Sequence, residues 1–160
     1  MNLLSSHLCS FALGAVAMTL IASANADEAL PTQSTIAPHK VVRVPDAMTR
    51  TSPSGKASIR HFAGKEDGAK NAFFGLLEIA PGAKVPTHRD ATEEYIFFAD
   101  GEGVLTIDGT IHEVRGGTGV FMPANAEVSF EATGNEPVMA VQFFAGQGPE
   151  AKYDGWAIER

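Results

Sequence analysis

"GAKVPTHRDATEEYIFFADG" (residues 82–101) is the stretch that decides the fold. A glycine opens it at Gly82, His88 and Asp90 follow one residue apart, Glu94 comes next, and Gly101 closes it. Its second half, two glutamates leading into an apolar run, reads as a strand, whose side chains point to alternate faces. Glu94, Ile96 and Phe98 share one face; Tyr95, Phe97 and Ala99 share the other. Glu93 then points outward and is a solvated residue.

Outward from this stretch, the chain reads as short strands separated by regular turns. "KASIRHFAG" and "NAFFGLLEIA" flank a turn with Asp-Gly at its centre. "VLTI", "IHEV", "VFMPA", "AEVSFEA" and "VMAVQFFA" follow, punctuated by Gly, Asp-Gly and Asn. No window carries a sustained helical period. Many short strands with even turn spacing predict an all-β sandwich or barrel. "VMAVQFFA" (138–145) is apolar on both faces apart from Gln142, so its outward face needs cover, and a homodimer is expected.

The N-terminus carries a different signal. "FALGAVAMTLIA" (11–22) is an uninterrupted run of apolar and small residues, with Ala24 and Ala26 beyond it. A run of this length is short of the ~20 residues that a membrane span needs. It has the form of a cleaved secretory signal peptide, residues 1–26, although no Lys or Arg precedes the apolar core. The expected location is periplasmic or secreted. Residues 27–56 read as an N-terminal arm, 57–146 as the β-barrel and 147–160 as a C-terminal tail packed back onto the surface through Tyr153 and Trp156.

Composition excludes several function classes. The net charge is −7, and none of it lies in the first 26 residues. An acidic protein of this kind is unsuited to nucleic acid or to anionic membrane surfaces, so no nucleic-acid partner is expected, nor a membrane after signal cleavage. The one cysteine, Cys9, falls in the signal segment. The remainder therefore has no thiol for a disulfide, a nucleophile or a thiolate metal site.

The spacing from Gly82 to Gly101 resembles the first motif of the cupin superfamily, G-x5-H-x-H-x3-E-x6-G, with Asp90 in place of the second His. "GTGVFMPANAEVSFEA" (117–132) falls where the second motif, G-x5-P-x-G-x2-H-x3-N, belongs. Gly117 and Pro123 match it; Asn125 stands for Gly, Val128 for the His and Ala132 for the Asn. Asn tolerates the positive φ of a left-handed turn, so "PAN" can keep the turn geometry. The resemblance implies a small double-stranded β-helix, a jelly-roll-like barrel, and it too implies a dimer.

The resemblance also implies a site. Metal-bearing cupins converge two His and a Glu of the first motif and a His of the second, which here are His88, Asp90, Glu94 and Val128. Valine cannot hold a metal. A residual set of His88, Asp90 and Glu94 is harder and more anionic than two His and one carboxylate, so it suits Mn, Mg or Ca better than Fe or Cu. His61, on a preceding strand, is the nearest further candidate ligand.

Two outcomes stay open. In the first, no metal is tightly held, and His88 and Glu94 act as hydrogen-bonding or acid–base groups on a small-molecule ligand in a pocket with Phe98, Phe121, Val128 and Phe130. Proximity would then raise the His88 pKa and keep Glu94 ionised. In the second, a divalent metal (Mn, Fe, Zn or Ni) remains, and the protein is a metal-dependent dioxygenase or isomerase with an unusual ligand set. The first is the preferred reading, because the count of ligands decides retention. Bland readings stand beside both: His88 as a solvent-facing loop residue, Asp90 as a turn former, and His39 and His112 as surface residues. Arg89, beside the pocket loop, is a weak candidate for an anionic ligand.

Overall fold

The computed structural model describes residues 39–159. The expected signal segment, residues 1–26, and the first part of the expected arm lie outside the described residues. The described chain is all-β, with eleven strands and three short 3-10 turns.

Seven strands form one antiparallel sheet. They are β1 (Met48–Thr51), β2 (Ala57–Ala63), β3 (Ala72–Ile79), β5 (Glu93–Asp100), β8 (Thr118–Met122), β10 (Val138–Ala145) and β11 (Ala157–Glu159). Their order across the sheet is β11-β1-β2-β3-β10-β5-β8. The other four are β4 (Lys84–Arg89), β6 (Glu102–Ile107), β7 (Thr110–Arg115) and β9 (Glu127–Ala132), ordered β4-β9-β6-β7. The first and last strands pair with each other, Arg50 opposite Ile158, at one edge of the larger sheet.

The core lies between the inward faces of the two sheets. On β10, Val138, Ala140, Gln142 and Phe144 point inward and are buried, as the period of two requires. β3 and β5 flank this strand over most of its length. Phe73, Ile59 and Leu105 pack with them. On β5 the inward set is Glu94, Ile96 and Phe98, and the outward set includes Tyr95 and Phe97, both exposed. Tyr95 meets Phe121 and Phe143 on that outer face, with ring centroids 5.1 and 6.0 Å apart.

Two turn residues place the site. Gly101 has φ +79°, and a Cβ there would lie 2.7 Å from the backbone of Val138, so the turn after β5 accepts only glycine without a shift. Asn125 has φ +64°, the left-handed value expected of a glycine substitute. Its N–H donates to the Asp90 carbonyl at 2.7 Å, which ties the turn before β9 to the loop after β4.

Candidate functional site

A cavity of about 710 Å³ opens between the sheets. Leu77, Ile96, Phe98, Leu105, Met122, Val128, Phe130 and Ala140 make its apolar wall, and His88, Asp90, Glu94, Gln142, Lys152 and Tyr153 make a polar region.

His88 reaches the cavity because β4 is irregular. Its pairing with β9 shifts between Val85 and His88, so residues three apart both line the interior. Pro86 lies within the irregularity, where the absence of a proline N–H costs no ladder bond. The Pro86 carbonyl is also used: His88 Nδ1–H donates to it at 2.9 Å. That bond leaves Nε2 free to face Asp90, at 3.5 Å from its Oδ2. Directly across the ladder from His88 stands Val128, buried and against the cavity.

Glu94 is inward on β5 and only 4% exposed. Gln142, inward on β10 and diagonal to it, donates from Nε2 to Glu94 Oε1 at 2.6 Å. Gln142 Oε1 in turn accepts from the Tyr153 hydroxyl at 2.6 Å. This buried chain gives each member a partner, as buried polar groups require. Tyr153, in the segment expected to pack back onto the surface, is 5% exposed. Its ring packs against Phe73 and Trp156, and burial pushes the phenol pKa well up.

The turn Pro149–Tyr153 also brings in Lys152. Its Nζ lies 2.7 Å from Asp90 Oδ2 and 4.8 Å from the Phe144 ring centroid. Asp90 is therefore more than a turn former: one of its oxygens faces both His88 and Lys152.

The charges follow from these contacts. The Asp90 carboxylate draws the His88 pKa above its ordinary value, against the effect of burial. Burial alone would push Asp90 up, but the bonds from His88 and Lys152 outweigh it and hold the carboxyl low. Burial raises the Glu94 pKa above its ordinary value, by more than the Gln142 bond and the Lys152 charge lower it.

Two expectations are corrected. Phe121, expected in the pocket, is 51% exposed on the outer face. The alternation of β8 turns Val120 and Met122 inward and sends Phe121 out to Tyr95. His61 does not join the cluster. It is buried on β2 beside Phe73, with Nε2 2.6 Å from Asp67 Oδ2. Arg89 also lines the cavity, and its guanidinium donates to Glu127 and to the Asn125 carbonyl. Lys152, Gln142 and Tyr153 went unpredicted as site residues. Gln142 had a signal, as the polar residue in an apolar strand; the other two lie in the segment read as a tail.

His88, Asp90 and Glu94 each offer one donor atom, all within 4.8 Å of one another, so these are the residues that could hold a metal. The buttressing of His88 by a carbonyl suits that role. The rest of the packing does not fit a tightly held transition metal. Asp90 and Val128 stand where two further imidazoles would, and the Asp90 oxygen is already engaged by an ammonium group.

Residues 75–144 match the family model described as "Cupin domain". Over 64 residues the chain is 34% identical to dimethylsulfoniopropionate lyase DddW of Ruegeria pomeroyi, a match that covers 40% of this chain and 42% of that protein. The chain thus matches well under two thirds of that relative's length. Among solved structures, the polyketide cyclase RemF of Streptomyces resistomycificus superposes with a TM-score of 0.63 at 20% identity, over 70% of this chain and 82% of that one. A predicted oxalate decarboxylase from Thermotoga maritima gives 0.62 at 23% identity, over 67% and 99%. At these identities the structural matches establish the fold.

Proposed function

The chain belongs to the cupin superfamily, and from that premise we propose that it binds a small molecule inside the barrel without a tightly held metal. The ligand's apolar body lies against Phe98, Met122 and Phe130, and its polar end meets His88, Glu94 and Lys152. Fold alone does not choose this reading, because one fold hosts many functions. The observation that carries it is the make-up of the cavity: about 710 Å³, apolar along its walls, with hydrogen-bonding groups in one region whose charges are already paired. Sites for small organic ligands have this character.

A ligand that binds only the folded protein raises its thermal midpoint by mass action. A panel of small molecules that each combine an apolar body with a polar head should contain some that raise the midpoint. Ile96→Trp, which projects a larger ring into the cavity, should weaken those shifts. Shifts that are unchanged in Ile96→Trp would place binding elsewhere, and a panel without any shift would contradict the reading.

A second reading is favoured by the convergence of His88, Asp90 and Glu94: a metal-dependent enzyme. The relative in Ruegeria pomeroyi is a lyase named for dimethylsulfoniopropionate, which makes that compound the first substrate to offer. Its consumption by protein supplied with Mn or Fe, and its survival with His88→Ala, would favour the enzyme over the binding protein.

A further inference from the structure

The misfit between the cluster and a transition metal has a cause in the chain itself. Asp90 Oδ2 lies 3.5 Å from His88 Nε2 and 2.7 Å from Lys152 Nζ. We infer that Lys152 is a tethered cation that takes the position of a metal's charge, so that lysine and metal compete for Asp90. The inference rests on the reading of the pocket as one that holds no metal tightly.

The lysine is delivered by an anchored segment. Tyr153, the next residue, is fixed by its hydroxyl on Gln142 and by its ring against Trp156. Arg50 Nη1 reaches the carbonyls of Tyr153 and Asp154 at 3.4 Å each. Beyond them, β11 pairs with β1. The ammonium is thus placed by the fold, and its side chain is 31% exposed. A divalent ion among His88, Asp90 and Glu94 would displace it from Asp90 and then sit beside it, against like-charge repulsion. Without the ammonium, two carboxylates and an imidazole would face one another with no permanent positive charge, which is a set that attracts a cation.

The test is a calorimetric titration of folded protein with Mn²⁺ and with Zn²⁺. Lys152→Met keeps an apolar side chain of similar length and removes the charge; Lys152→Gln is a second neutral variant should the first fail to fold. Lys152→Arg keeps the charge. Metal affinity should rise about tenfold or more in the neutral variants, a range typical of changes beside a metal site. It should stay at the wild-type level in Lys152→Arg and return there when His88→Ala is added to the neutral variant. If the wild type is weak and the folded neutral variants gain nothing, or if Lys152→Arg gains as much, the competition is overturned while the binding reading stands. Tight binding by the wild type itself overturns both.

Discussion

At Asp90 one carboxylate oxygen meets an imidazole and an ammonium, and the pH dependence of folding follows from the three groups around it. His88 has its pKa raised above 6.5 by Asp90. Its contribution to stability is therefore fully present below about that pH and is lost as pH rises through the higher folded value. Asp90, lowered from 3.8, acts at the other end: its contribution is present above that value and lost as pH falls through the folded one. Glu94, raised from 4.5, favours the protonated protein, so stability drains as pH climbs from there through its folded value. Replacing His88 by Gln leaves the pH dependence of distant groups in place. The stability gap between wild type and His88→Gln should be widest below pH 6.5 and narrow above it. Chemical denaturation across a pH series measures it; a gap that is flat or widens with pH would show that His88 does not pair with Asp90. Of this cluster, His88, Asp90 and Glu94 were singled out by the resemblance to the first cupin motif, and Val128 by the second. Lys152 was not, because it lies 62 residues from Asp90 and no local pattern links them.

Among the elements, β5 and β10 carry the buried polar chain. Gln142 bridges Glu94 and Tyr153, each otherwise without that partner in the core. Gln142→Leu keeps the volume and removes both bonds, leaving two buried polar groups short of a partner. The expected loss is about 2–4 kcal/mol, on the scale of unsatisfied buried groups. Urea unfolding of the variant measures this, and an unchanged midpoint would mean that water or a neighbour replaces the amide. The pairing of Glu94, Ile96 and Phe98 on one face of β5 was readable from the strand period, but both faces are largely apolar, so the period alone did not say which one is inward. β8 shows where such reading slips. Phe121 was assigned inward by its apolar character, but Met122, 2% exposed, occupies the core and leaves Phe121 outside. The irregular β4 was hidden as well: a uniform alternation across Val85–His88 would send those two side chains to opposite faces, whereas both line the cavity. The C-terminal segment was read as a tail because it is polar and short. Its order comes from two aromatic rings and from pairing with β1, which are contacts distant in sequence.

For the whole molecule, the glycine and Asp-Gly rhythm made an all-β barrel legible, because each turn needs a residue that accepts its backbone geometry. The cavity's chemistry was less so, since it depends on three segments meeting: β4 with its loop, β5, and the turn at Pro149–Tyr153. We hold that this meeting yields a ligand pocket whose polar region is balanced by Lys152 in place of a metal. The decisive measurement is elemental analysis of the purified wild-type protein, after exposure to Mn, Fe, Ni and Zn and removal of excess. Metal far below one ion per chain is expected, with a thermal midpoint indifferent to chelator. About one ion per chain, lost on chelation and absent from His88→Ala, would contradict a pocket balanced by lysine.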